Sequence, residues 1–231
     1  RDVIAQSSAV ALSHNVFDGV LMLGVCDKIV PGLLMGVLTF GHLPTIFVPA
    51  GPMKTGLSNE EKSRVRNLFA KGDISKEALL ESEMKSYHSP GTCTFYGTAN
   101  TNQLILEIMG LLIPGSAFVN PNGLLRDELT RSAAKRSVEI SLYSKDVRSI
   151  GELINEKAIV NGIIGLLASG GSTNLTIHLI AIARMAGIII TWDDFKLISK
   201  TIPLIAKIYP NGNADVNDFH NAGGTEFVIS E

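Results

Sequence analysis

Six consecutive nonpolar residues, Val20 to Val25, run without a break into Cys26, Asp27 and Lys28. A run this short and this apolar reads as a strand covered on both faces, as strands of parallel sheets are. The next apolar stretch, Pro31-Gly32-Leu33-Leu34-Met35-Gly36-Val37-Leu38, opens with a proline suited to the first turn of a helix. Strand, short polar loop and helix in that order confine the chain to α/β architectures. Thr45 to Val48 reads as a second strand, again followed by a glycine- and proline-rich loop. The expected fold is therefore α/β, a parallel sheet flanked by helices.

The remaining periodicity is helical. Asp2 to Leu12 reads as a helix, and Ser58-Asn59-Glu60-Glu61 opens another with a serine cap and an acidic first turn, stopping at Lys71-Gly72. Ser75 to Tyr87 is a second charged helix. After Asn100 a helix places Leu104, Ile105, Ile108, Leu111 and Leu112 on one buried stripe, with Pro114 as its stop. Further helices are expected over Arg126 to Tyr143, Ile150 to Ala168 and Thr173 to Ala186, while Thr225 to Glu231 carries strand-like residues. Residues 1–231 read as a single α/β domain, with one candidate sub-boundary at 144–149.

A chain of 231 residues with 45% hydrophobic content can bury a sizeable core, and a net charge of −2 gives no electrostatic footprint for nucleic acid. Asn161, His178 and Arg184 interrupt the longest apolar stretches, so none reaches the roughly 18 apolar residues of a membrane span. No secretory leader is read at the start. The two cysteines do not form a disulfide framework, which fits a reducing, cytoplasmic compartment.

Those cysteines, Cys26 and Cys93, each stand among glycines: Gly24-Val25-Cys26-Asp27-Lys28-Ile29-Val30-Pro31-Gly32 and Gly91-Thr92-Cys93-Thr94-Phe95-Tyr96-Gly97. Free cysteine is often just a small buried hydrophobe. The absence of any CxxC pair speaks against zinc fingers, thioredoxin motifs and ferredoxin-type runs. Cys26, however, follows the carboxyl end of a predicted strand, where open α/β sheets bind ligands. A third motif, Ala168-Ser169-Gly170-Gly171-Ser172-Thr173-Asn174, sets hydroxyl and amide side chains at a helix start. That start either holds an anion, such as a substrate phosphate or carboxylate, or is merely capped by Ser172 or Thr173. The histidines His14, His42, His88, His178 and His220 lack metal-type spacing and are not expected to bind a cluster.

The run Cys26-Asp27-Lys28-Ile29-Val30-Pro31-Gly32-Leu33-Leu34-Met35-Gly36 resembles, position for position, a signature of the dehydratase family that contains dihydroxy-acid dehydratase and phosphogluconate dehydratase. The second motif separates the branches. Dihydroxy-acid members look like Cys-Gly-Gly-Met followed by Thr-Ala-Asn-Thr-Met, whereas this chain has Cys93-Thr94-Phe95-Tyr96-Gly97-Thr98-Ala99-Asn100-Thr101-Asn102-Gln103. With Ser86-Tyr87-His88-Ser89-Pro90-Gly91 ahead of it, this resembles the phosphogluconate branch. The likeness extends from Arg1-Asp2-Val3-Ile4-Ala5 to Tyr209-Pro210-Asn211-Gly212.

The resemblance implies a hydro-lyase of the Entner-Doudoroff pathway that dehydrates 6-phospho-D-gluconate to 2-keto-3-deoxy-6-phosphogluconate, a cytoplasmic homodimer with neither nucleic-acid nor membrane partners. It assigns Cys26 and Cys93 to an iron-sulfur cluster, 4Fe-4S or 2Fe-2S, acting as a Lewis acid on the departing hydroxyl. It assigns Asp27 and Lys28 to a magnesium ion, with Lys28 carbamylated in some members, and gives Ser172, Thr173 and Asn174 a substrate-side role. In the family a third cysteine, a further magnesium carboxylate and the serine base lie outside the matching stretch. The chain is accordingly expected to be an internal piece, without the N-terminal segment and the C-terminal β-rich domain, and inactive alone. The alternatives are a dehydratase of another sugar acid or dihydroxy acid, and a catalytically inactive truncated paralogue.

Overall fold

The computed structural model describes residues 1–231, built from twelve helices and two strands. Strands β1 (Val20–Leu23) and β2 (Thr45–Val48) form a two-stranded parallel sheet with Val20 opposite Thr45 and Leu23 opposite Val48. Helix α2 (Ile29–Leu38) is the crossover between them. Side chains alternate along both strands, as the period of two requires. Val20, Met22 and Phe47 face the main core, whereas Leu21, Ile46 and Val48 pack with Ala133 and Ile140. Those last two belong to, or follow, helix α6 (Leu124–Glu139), which covers the second face of the sheet.

The sheet is smaller than a run of six residues implied. Pairing ends at Leu23, and Gly24 and Val25 already form the loop that carries Cys26. Most of the core is helical instead. Helix α1 (Asp2–Leu12) lies across α2, and Gly32 and Gly36 of the cysteine signature make that crossing possible. A Cβ on Gly32 would stand 2.7 Å from the Arg1 carbonyl oxygen, and one on Gly36 would stand 2.8 Å from the oxygen of Ala5. Two of the signature's glycines thus serve helix packing.

Helices α3 (Asn59–Lys71) and α4 (Lys76–Ser86) form an outlying hairpin, started by Ser58 and Ser75, whose hydroxyls accept from Glu61 N–H and Ala78 N–H at 3.2 Å. Arg66 and Glu83 bridge the two at 2.8 Å.

Helix α5 (Thr98–Ile108) runs through the centre of the molecule. Every residue from Thr98 to Glu107 is buried, so the single apolar stripe expected after Asn100 is replaced by a helix enclosed on all sides. It also ends earlier than Pro114. Gly110 adopts φ +79°, and Leu111 N–H donates back to the Leu106 carbonyl at 2.9 Å, a left-handed glycine stop.

The helix expected over Ile150 to Ala168 is two helices, α7 (Ile150–Leu153) and α8 (Glu156–Ala168). Asn155 leaves helical geometry and caps α8, accepting from Ala158 N–H at 3.1 Å. Residues 144–149 form a connection whose last residue bridges Pro44, and Ile150 N–H donates to Leu43 at 3.0 Å. One hydrophobic core contains residues from both sides of this connection, from Leu12 to Val228.

Helices α9 (Thr173–Met185), α10 (Trp192–Ser199), α11 (Val216–Asn221) and α12 (Gly224–Ser230) complete the chain. The strand-like Thr225 to Glu231 is therefore helical. Strand preference depends on a neighbouring strand, and here α12 instead buries Thr225 and Val228 near α5 and α8. No helix is long and apolar enough to cross a membrane.

Candidate functional site

Three loops meet at the amino-terminal end of α5, and the polar half of that helix holds each of them. The first follows β1. Cys26 takes φ +82°, unusual for a non-glycine residue, and its thiol is free and exposed. Asp27 and Lys28 come next, with Lys28 as the residue before α2. Asn102 Nδ2 donates to the Asp27 carbonyl at 3.0 Å and Gln103 Nε2 to the Gly24 carbonyl at 3.3 Å.

The second loop carries Cys93. The chain after β2 lies alongside it, with Met53 N–H donating to Thr92 O at 2.8 Å and Thr92 N–H to Gly51 O at 3.0 Å. Asn100, completely buried, then spends its whole amide on this loop. Its Nδ2 donates to the carbonyls of Cys93 at 2.7 Å and Phe95 at 2.8 Å, and its Oδ1 accepts from Thr92 Oγ1 at 2.9 Å.

The third loop is the glycine-serine motif before α9. Thr101 Oγ1 accepts from Ser172 N–H at 3.1 Å, and Thr98 Oγ1 lies 2.7 Å from Ser172 Oγ. Asn174 Nδ2 reaches Thr98 Oγ1 at 3.3 Å. Below this contact Tyr96 donates from its hydroxyl to Ser169 Oγ at 2.8 Å, and burial raises the phenol pKa well above its ordinary value.

The structure sets Cys26, Asp27, Lys28, Cys93, Ser172, Thr173 and Asn174 on the three loops or helix starts held by α5. Cys26, Lys28, Thr173 and Asn174 are exposed, and Asp27, Cys93 and Ser172 are half-buried. Burial pushes the Cys93 thiol pKa up, while its contact with the Phe95 carbonyl lowers it and the neighbouring Cys26 raises it. Ser172 caps α9, accepting from Asn174 N–H at 3.3 Å, which is the capping reading of that motif.

Asn100, Asn102 and Gln103 form the part of the site that motif reading overlooked. The signal was present: Thr98 to Gln103 is a polar run that leads directly into an apolar helix, and such a run inside a core must be spent on buried partners. His178 is a further surprise. It is buried on α9, with Nε2 3.8 Å from Asp27 Oδ1. His88 lies elsewhere, beside Gly56 and the end of α4.

The dihydroxy-acid/6-phosphogluconate dehydratase N-terminal family matches residues 1–231. The chain belongs to this family. Among its dehydratase relatives, the phosphogluconate dehydratase of Pseudomonas aeruginosa is 62% identical over 231 residues, covering all of this chain and 38% of the relative. The phosphogluconate dehydratase of Escherichia coli K12 is 58% identical with the same coverage. The dihydroxy-acid dehydratase of Campylobacter jejuni is 36% identical over 239 residues, covering all of this chain and 42% of that relative. The chain thus spans about two fifths of the length of these dehydratases.

The face offers two kinds of donor. Two free thiols, Cys26 and Cys93, stand on loops held by the same helix, a donor type that suits iron of a cluster, and an oxygen donor, Asp27, follows Cys26, a donor type that suits a hard cation. No group of three histidine, cysteine or acidic side chains converges on one point. These residues alone therefore do not make up a complete ligand set.

Proposed function

We propose that this chain is the N-terminal catalytic portion of a phosphogluconate dehydratase, the hydro-lyase that converts 6-phospho-D-gluconate to 2-keto-3-deoxy-6-phosphogluconate in the Entner-Doudoroff pathway. The observation that carries the reading is the meeting of the Cys26, Cys93 and Ser172 loops on α5, in a chain 62% identical to a phosphogluconate dehydratase and 36% identical to a dihydroxy-acid dehydratase. The reading includes a cytoplasmic homodimer.

Cys26 and Cys93 would hold an iron-sulfur cluster and Asp27, with Lys28, a magnesium ion; when bound, these supply Lewis acidity toward the leaving hydroxyl and the substrate carboxylate. The chain's own residues do the positioning. Asn100 holds the Cys93 carbonyl and Asn102 holds the Asp27 carbonyl, which ties both loops to α5. The start of α9 presents Thr173 and Asn174 at a helix N-terminus, where the dipole favours a phosphate or carboxylate of a sugar acid. The proton acceptor of this reading is the serine that the family resemblance places outside residues 1–231.

The test is iron and sulfide analysis of the anaerobically prepared full-length polypeptide, with assays of 2-keto product on a panel of sugar acids and dihydroxy acids. Preference for 6-phosphogluconate and loss of iron in Cys26→Ser and Cys93→Ser are expected. Iron content unchanged in either variant removes that cysteine from the ligand set, and preference for an unphosphorylated dihydroxy acid overturns the substrate. The 231-residue chain alone is expected to retain little cluster and to show no turnover.

A further inference from the structure

The three loops of the site carry one cation, Lys28, and it is paired with Asp27. A phosphate monoester holds close to two negative charges at neutral pH, so a site that prefers one needs a cation not already committed. Helix α3 supplies it. Asn59, Lys62 and Arg66 fall on successive turns of one side of that helix. Both ends of the row reach toward the Cys93 loop. Asn59 Nδ2 donates to the Asn213 carbonyl at 3.5 Å, and Arg66 donates to Glu83 at 2.8 Å and to the Tyr87 hydroxyl at 3.2 Å. The segment that receives Asn59 also flanks the Cys93 loop: Tyr96 N–H donates to the Tyr209 carbonyl at 2.9 Å and Val216 N–H to the Thr94 carbonyl at 3.2 Å. Tyr87, at the other end, leads into the same loop along the chain.

Lys62, between these two anchors, is the uncommitted residue of the row. Arg64 pairs with Glu61 at 2.7 Å and Arg66 with Glu83, whereas the half-buried Lys62 enters no ion pair. Glu83 is taken up by two nitrogens of Arg66, at 2.8 and 3.1 Å. Arg66, and with it Lys62, lower the Glu83 pKa; burial raises the Cys93 thiol pKa, and Lys62 opposes it. A half-buried ammonium needs water or an anion beside it.

We propose that Lys62 is a specificity-determining residue that binds the substrate phosphate beside the Cys93 loop, and so separates a phosphorylated sugar acid from the same acid without phosphate. The inference rests on the reading of the whole enzyme as a phosphogluconate dehydratase. The contact is a charge-assisted hydrogen bond from Nζ to a phosphoryl oxygen. Lys54, also without an ion pair but exposed on the loop after β2, serves as the comparison.

The experiment compares 6-phosphogluconate with gluconate on the full-length polypeptide, by steady-state kinetics and by calorimetric titration, with iron content and thermal unfolding recorded alongside. Lys62→Met should lower kcat/KM for 6-phosphogluconate about 10-fold or more, chiefly through KM, and weaken its binding by a similar factor. Gluconate binding, iron content and unfolding temperature should stay where they were. Lys62→Arg, which keeps the charge, should recover most of the loss, and Lys54→Met should match the original protein on both acids. Lys62→Gln gives the same reading should the methionine variant not fold. An equal loss on both acids, or a fall in iron content, would assign Lys62 to the loop rather than to the phosphate and overturn the proposal. So would discrimination lost in Lys54→Met alone. An original protein that prefers gluconate overturns the substrate reading itself, whereas a preference for 6-phosphogluconate that survives undiminished in Lys62→Met overturns Lys62 alone.

Discussion

Thr98 Oγ1 and Ser172 Oγ lie 2.7 Å apart, so the first residue of α5 is tied to the residue that caps α9. Two helix N-termini are thereby joined at one point. The pair is half-buried, and each hydroxyl also serves a second neighbour: Ser172 accepts from Asn174 N–H and Thr98 from Asn174 Nδ2. Ser172→Ala removes both a cap and this bond and should cost about 1–2 kcal/mol, with Thr98→Val costing about 1 kcal/mol. Urea unfolding of the two single variants and the double variant checks it. Non-additivity of at least about 0.5 kcal/mol is expected for groups in contact, and strict additivity would show that the bond contributes nothing.

Gly91 and Gly72 both have positive φ, and they should respond differently to alanine. At Gly91, φ +126°, an added Cβ would stand 2.4 Å from Met53 N and 2.6 Å from the Pro52 carbonyl carbon. At Gly72, φ +82°, it meets nothing within 4 Å. Gly72→Ala should therefore cost only the left-handed backbone penalty, about 1–2 kcal/mol. Gly91→Ala adds a backbone collision beside Cys93 and should cost more. Similar unfolding midpoints for the two variants would contradict the close approach of the loops.

The α/β alternation, the caps at Ser58 and Ser75 and the three site loops were legible because each rests on local chemistry: a period, a hydroxyl before a helix, a glycine-bracketed motif. The organising role of α5 was not. Its polar start belongs to the Cys93 motif, and only the folded chain shows that Asn100, Asn102 and Gln103 donate to four carbonyl groups of loops up to 79 residues away in sequence. The strand-like Thr225 to Glu231 misled for the related reason that no strand lies beside it to pair with. His178 read as one polar interruption in an apolar helix, because its neighbour Asp27 is distant along the chain.

Asn100 concentrates the largest local effect. Asn100→Ala would leave the Cys93 and Phe95 carbonyls and the Thr92 hydroxyl without their partner in a region excluded from water. Each unsatisfied group costs about 1–3 kcal/mol, so a loss of roughly 3 kcal/mol or more is expected. Asn100→Asp should be at least as damaging, since a carboxylate would turn an acceptor toward two carbonyl oxygens. Chemical denaturation measures both, and a loss below about 1 kcal/mol for the alanine variant would mean that water or a rearranged loop replaces the amide.

Glu107, at the far end of α5, gives a pH-dependent test that does not involve the site. It is 9% exposed, and burial raises its pKa above the ordinary 4.5, against the amides of the Gly115 to Ala117 turn, of which Ser116 N–H donates at 3.1 Å. Arg126 does not neutralise it by contact, since its Nη2 is spent on the carbonyls of Ser116 at 2.6 Å and Val119 at 2.5 Å. A raised folded-state pKa means that the folded chain binds this proton more tightly than the unfolded chain. The stabilisation is complete below the unfolded value of about 4.5 and is lost as pH rises through the folded one. Glu107→Gln keeps an oxygen to accept from Ser116 and stays neutral at every pH, so it escapes that loss. Urea unfolding of both forms between about pH 4 and pH 8 should show the variant gaining on the original as pH rises. A difference that stays flat across that window would mean that Glu107 titrates at its ordinary value in the folded chain.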